Sequence, residues 1–109
     1  MGLKIDIRNM YCAYLPATET ALYIVPNGRR AILKSLNLAN ETNAERTINL
    51  RIVRGSGHAR LVPCDFKLSS FCMAITCDSW TMESGDRLFG VADQQMSVTL
   101  KASGVEEIL

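Results

Sequence analysis

Long apolar runs, aromatic clusters and a charge excess of either sign are all missing from this chain. Nowhere does it approach the ~20 consecutive apolar residues that carry a helix across a bilayer, and nothing in "MGLKIDIRNMYCAY" supplies the apolar core of a secretory signal. A product made in the cytoplasm is expected. Myristoylation at Gly2 would want Ser or Thr at position 6, where Asp6 stands. Twelve Lys and Arg against eleven Asp and Glu leave a formal charge of +1, with the two signs interspersed. Nucleic acid and anionic membrane, which select clustered basic residues, are therefore not expected partners. Aromatic residues make up 6% of the 109. That is little for a protein that stacks sugars or bases on aromatic platforms, so Trp80, Tyr11, Tyr14 and Tyr23 are assigned to core or interface packing.

Reactive chemistry is equally sparse. His58 is the only histidine, and no two of Cys12, Cys64, Cys72 and Cys77 have the C-x-x-C spacing of zinc or thioredoxin-like sites. No metal and no cofactor is expected. Buried free thiols are the first reading of the cysteines, because unpaired Cys favours interiors; disulfides formed after release into an oxidising medium are the alternative. The carboxylates Glu41, Glu45, Glu83 and Asp86 fall in turn segments and Asp6 on a solvent-facing strand position, which makes them solvated charges and not a convergent acid–base pair. "GSG" at residues 55–57 leads into another apolar run and lacks the Gly-Lys-Ser/Thr ending of a phosphate loop, so it reads as a hairpin tip with His58 beside it. No catalytic residue is assigned, and an enzyme is not expected.

What the chain does have is a period of two. Ile48, Leu50 and Ile52 alternate with Asn49 and Arg51; Met96, Val98, Leu100 and Ala102 alternate with Ser97, Thr99 and Lys101; Leu3, Ile5 and Ile7 alternate with Lys4, Asp6 and Arg8. Each run reads as a strand with one face on a core, and Ile48, Leu50, Ile52, Val98 and Leu100 are the expected core. Turn signals recur between such runs at Pro26-Asn27-Gly28, "NETNAER", Gly55-Ser56-Gly57 and Glu83-Ser84-Gly85-Asp86. With no ten-residue helical pattern, the fold class is all-β: one domain, an antiparallel sandwich or jelly roll. Residues 1–16 are an N-terminal arm or a first strand, and residues 17–109 the sandwich.

Two stretches break the alternation. In "RAILKSLNLAN" Ile32, Leu36 and Leu38 share a parity with Lys34 while Leu33 opposes them, which predicts a β-bulge near Lys34 or a lysine stem lying on a subunit contact. In "FKLSSFCMAITCDSW" Phe66 and Leu68 have one parity and Phe71, Met73 and Ile75 the other, which predicts a bulge or a corner between sheets around Ser69-Ser70. Residues 10–16, apolar without alternating, suit an arm that packs on a neighbouring subunit.

Several segments then fall in a familiar order: Leu22-Tyr23-Ile24-Val25-Pro26-Asn27-Gly28-Arg29 as a hairpin, Ala31-Ile32-Leu33-Lys34-Ser35-Leu36 followed by Ala39-Asn40, Thr47-Ile48-Asn49-Leu50, the Gly85-Asp86 turn, and Val98-Thr99-Leu100 with Ser103-Gly104-Val105-Glu106. This order resembles a group of small virion proteins of tailed bacteriophages. The resemblance implies a β-sandwich acting as an accessory virion subunit, either a capsid decoration or cement protein or a neck or collar component. A tail-fibre or baseplate module that binds a host receptor or carbohydrate is the alternative. It implies location in the virion, contact with the major capsid protein or other virion proteins, and a homo-oligomer, a trimer by family analogy. Pro26, Gly28, Gly85 and Asp86 are its turn signature. Ile5, Ile7, Tyr11, Tyr14, Leu15 and Lys34 are the attachment candidates. The first 16 residues lie outside the shared pattern, and four cysteines exceed what it leads one to expect.

Overall fold

The computed structural model describes residues 4–76 and 79–109. Within them lie ten strands and no helix: β1 (Lys4–Tyr14), β2 (Thr20–Ile24), β3 (Arg29–Asn40), β4 (Arg46–Arg54), β5 (Gly57–Arg60), β6 (Phe66–Leu68), β7 (Met73–Thr76), β8 (Trp80–Met82), β9 (Arg87–Ala92) and β10 (Val98–Ile108). They form two antiparallel sheets. Sheet I has the order β1-β10-β3-β7, with β8 also on β3; sheet II has the order β2-β9-β4-β5, with β6 also on β4. β5 and β6 share the two ends of β4, and β7 and β8 share the two ends of β3. Each pair thus acts as one broken strand, and the result is the four-on-four alternation of a jelly roll.

The core is where the period of two points inward from both sheets. Ile48, Leu50 and Ile52 from β4 meet Leu88 and Ala92 from β9 and Val98, Leu100 and Ala102 from β10, all buried. Alternation is reliable here because these strands have one sheet face on the core and the other in water. It misleads in two places. Met96 is exposed and takes a positive φ of 54°. That left-handed residue reverses the phase, so Ser97 is the buried one, its Oγ donating to the Gln94 carbonyl at 2.6 Å. On β1, Ile5 and Ile7 point away from the core, 59% and 88% exposed, whereas Asp6 and Arg8 lie toward the buried Glu106. Leu3 lies outside the described residues.

The bulge at Lys34 is present. Ser35 pairs with Ser103 and Leu33 with Gly104, which leaves Lys34 extra and exposed. The parity therefore changes there, and Leu33, not Ile32, joins Leu36 and Leu38 in the core. A second bulge on the other side of β10 leaves Met10 of β1 unpaired between Asn9 and Tyr11 and turns its side chain into the core. Gly104 sits just past both bulges, opposite Arg8 on one side and Leu33 on the other. A Cβ there would lie 2.0 Å from the Ile32 carbonyl oxygen, so the strands approach this closely only around glycine.

The phase change after Leu68 is a corner between sheets: β6 belongs to sheet II and β7 to sheet I. Asn40, buried at the end of β3, holds the corner. Its Nδ2 donates to the carbonyls of Leu68, Ser69 and Ala44 at 3.0, 3.1 and 2.8 Å, and its Oδ1 accepts from the Thr42 amide and hydroxyl. The segment expected as a hairpin at residues 22–29 is also a crossing. β2 lies in sheet II and β3 in sheet I, so Pro26-Asn27-Gly28 turns between sheets and joins no paired strands. Gly28 has φ 80°, which the turn requires.

Candidate interaction surface

The turn signature comes together at one end of the sandwich. The β8–β9 crossing at Glu83–Asp86 lies against the β2–β3 crossing: the Val25 amide donates to the Asp86 carbonyl at 3.0 Å, the Gly85 amide donates to the Val25 carbonyl at 3.0 Å, and the Ser84 hydroxyl bonds the Arg29 carbonyl. Asp86 is not the solvated charge expected of a turn carboxylate. It is buried and accepts from Arg54 Nε and Nη2, at 2.9 and 2.7 Å to Oδ2, and from the Glu83 amide at 2.9 Å. Burial pushes its carboxyl up, but the Arg54 bonds and the Glu83 N–H outweigh burial and hold it below the usual carboxylate range.

Beside this end lies a polar cluster that sequence reading missed. Glu106 is 2% exposed and accepts from Arg29 Nη1 at 3.0 Å and from the Tyr23 hydroxyl, with Arg8 Nε at 3.2 Å. Arg29 Nη1 also donates to Asp6 at 2.9 Å, so Asp6 is likewise partnered and not merely solvated. Burial and then the bond to Glu106 push the Tyr23 hydroxyl pKa far up. The signal was available: Val98, Leu100, Ala102 and Gly104 set an inward parity that Glu106 continues. The cluster's groups satisfy one another, and it ties β1, β2, β3 and β10 together.

The outer face of sheet II is charged and braced. Arg51 and Arg60 face each other across β4 and β5; Arg51 pairs with Glu19, and Arg60 donates to Asn49 Oδ1 at 3.1 Å. The Arg51 and Arg87 guanidinium groups lie 5.5 and 5.3 Å from the Phe89 ring. The bond from Arg51 keeps Glu19 below the usual carboxylate range. His58 is exposed on the short strand β5, where it helps to line an open cleft of about 340 Å³ with Trp80 and Ile52.

Sheet I differs, and most of the attachment candidates fall on it. Its outer face has an apolar row in which Ile7 pairs with Val105 and Val105 with Ile32. At the opposite end of the same face, Tyr14 of β1 and Met73 of β7 bracket Thr99 and Ala39 in one row, with exposed Ile75 and Phe71 beside Met73. Lys34 is exposed at its bulge. Tyr11 is half-buried, packs on the core and donates its hydroxyl to the Tyr14 carbonyl. Leu15 is removed as an attachment residue, because it is 1% exposed and fills the core. Cys12, Cys64 and Cys72 are free and exposed, which corrects the expectation of buried thiols: Cys12 points outward from β1, and the other two lie in connecting segments. Cys77 lies outside the described residues. Among those residues no group of three or more His, Cys, Asp or Glu is placed to hold a metal ion.

An antiparallel jelly roll with one apolar-tipped outer face is the class of protein defined here. Among solved structures, the chain is similar to a chain in the structure of infectious bursal disease virus Gx strain, with TM-score 0.60 and 11% identity over 99% of this chain and 33% of that one. It is also similar to a chain in the crystal structure of the T13 viral particle of the same virus, with TM-score 0.59 and 11% identity over 97% of this chain and 31% of that one. This chain thus spans about a third of the length of the chains it matches. At 11% identity the likeness is one of fold. No protein-family model and no curated protein matches the sequence.

Proposed function

We propose that this protein is a structural subunit of a virus particle, with no catalytic role. The observation that carries the reading is the match of nearly the whole chain to a jelly roll from an icosahedral virus particle. The motif order resembling tailed-phage virion proteins points the same way and narrows the proposal to an accessory subunit on the head or neck of a phage. Contact with neighbouring virion proteins falls to the exposed apolar residues of sheet I and the corner beside it: Ile5, Ile7 and Tyr14 on β1, and Phe71, Met73 and Ile75 around β7. Large side chains exposed on one face of a small domain mark such contacts.

The test is mass spectrometry of gradient-purified particles, followed by cryo-electron microscopy to locate the subunit. The protein should be present in stoichiometric amount, at the head or neck. Density in a tail fibre or baseplate would move it to the receptor-binding alternative, and absence from purified particles would overturn the reading. Replacing Phe71, Met73 and Ile75 together by Ser should lower incorporation while the isolated variant keeps its melting temperature.

A further inference from the structure

β1 is eleven residues long and, among the described residues, its backbone pairs only with that of β10, which leaves its other edge open. A long edge strand carrying exposed Ile5 and Ile7 is a template for another strand, and a protein ordinarily blunts such an edge with a charge, a proline or a bulge. β1 has a bulge, but at Met10, and it has charges, but Asp6 and Arg8 are of opposite sign and can complement a second copy instead of repelling it. The bulge interrupts the strand after Asn9 and leaves residues 4–9 regular.

We propose that this segment pairs antiparallel with the same segment of a second copy, about a two-fold axis at Ile7. The choice of register follows from the charges together with the length of regular strand paired: an axis at Ile5 would also oppose unlike charges, Lys4 and Asp6, but would pair only residues 4–6 of the described strand. With Ile7 opposite itself, Asp6 faces Arg8 of the other copy, Arg8 faces Asp6, and Ile5 faces Asn9; the regular stretch from Ile5 to Asn9 is used fully and neither bulge is crossed. Moving the axis to Asp6 would oppose two Asp6 carboxylates and set Lys4 against Arg8. Moving it to Arg8 would oppose two guanidinium groups, and like charges placed directly opposite destabilise a sheet. With the axis at Ile7, the outer-face row of Ile32, Val105 and Ile7 runs on into Ile7, Val105 and Ile32 of the second copy. The result is one apolar stripe across both subunits. On the inner side, Asp6 already bonds Arg29 and lies 3.7 Å from Arg8 of its own chain, so the second copy's Arg8 joins an existing network. The contact is isologous, as two-fold interfaces are, and it replaces the trimer expected by family analogy with a dimer as the unit. This proposal concerns the isolated protein and does not depend on the virion reading: particle incorporation tests one, solution assembly the other.

The experiment uses the full chain with Cys12, Cys64, Cys72 and Cys77 replaced by Ser, carrying either Ile7→Cys or Ile5→Cys. Directly opposite residues on paired strands have Cα atoms about 4.5–5.5 Å apart, within disulfide reach. The two Ile5 positions are offset by four residues, roughly 13 Å along the strand. Under mild oxidation I7C should convert to disulfide dimer almost completely and I5C at least tenfold more slowly. Light scattering of the unmodified protein should give a dimer mass, and I7K should raise its dissociation constant about tenfold or more. Equal crosslinking of I5C and I7C would overturn the register. A monomeric or trimeric mass at high concentration would overturn the proposal.

Discussion

Replacing Gly104 by Ala adds one methyl group to the most crowded backbone position of the sandwich. Gly104 faces inward on β10, next to the Lys34 bulge of β3 and the Met10 bulge of β1. A Cβ there would stand 2.0 Å from the Ile32 carbonyl oxygen, 2.8 Å from Met10 Cε and 3.0 Å from the Ile32 carbonyl carbon. Met10 can swing aside, but the Ile32 carbonyl belongs to a bonded central strand. Relief requires β3 and β10, the most extensively paired strands of sheet I, to separate by about 1 Å at that point. Overpacking a well-packed interior costs about 1–3 kcal/mol, sometimes more, and a backbone clash belongs at the upper end. Gly→Ala also returns about 0.4–1 kcal/mol by restricting the unfolded chain. The net expectation is a loss of about 2–3 kcal/mol, a fall of roughly 30-fold to 140-fold in the folding constant. Urea unfolding would read this as a lower midpoint at unchanged m-value. Gly57→Ala is the control, because its Cβ meets only the Arg54 carbonyl at 3.6 Å and should leave stability within about 0.5 kcal/mol of the parent or raise it slightly. If Gly104→Ala also stays within about 0.5 kcal/mol, the double-bulge account of β10 is wrong.

Leu50→Ala should cost about 2–5 kcal/mol, since Leu50 is fully buried between the sheets. Asn49→Ala, on the outer face but bonded to Asp65 and Arg60, should cost about 1 kcal/mol; equal losses in melting temperature would refute the phase assignment of β4. Asn40→Ala should cost about 1–3 kcal/mol, because it leaves the buried Leu68 carbonyl without its donor and removes the part-buried bonds to Ser69 and Ala44, and it should speed proteolysis near the Ser69–Cys72 corner first; cleavage elsewhere would count against its role as the clamp. Asp86 has a folded pKa below its unfolded value of about 4. Its contribution is therefore complete above pH ~4 and is lost as pH falls through the folded value. Stability measured from pH 5 to 2 should fall less steeply for Asp86→Asn than for the parent, and parallel profiles would exclude the assignment.

Much of this architecture was legible one strand at a time. Where a strand has one face on the core and the other in water, hydrophobicity reports the face directly, which is why Ile48, Leu50, Ile52, Val98 and Leu100 were placed correctly. Local breaks in that pattern marked Lys34 as a bulge or a subunit contact and Ser69-Ser70 as a bulge or a corner, because an extra residue or a change of sheet must shift parity; the structure shows a bulge at the first and a corner at the second. The exposed candidates were another matter. Ile5 and Ile7 alternate like core residues and yet point outward, since alternation shows that a strand has two unlike faces and is silent on which face meets the second sheet. That choice was made by Glu106 and Arg29, distant in sequence, which draw Asp6 and Arg8 inward. Pairing of β2 with β9 instead of β3 was likewise decided between sheets, because a turn such as Pro26-Asn27-Gly28 reverses the chain equally well in a hairpin and in a crossing. The sequence by itself determined the strands, their turns and the absence of recognisable reactive motifs, all of which are local properties of the chain. The tertiary structure alone decided the partner of each strand, the buried carboxylates and the free edge of β1, because those depend on which distant residues compete for the same space.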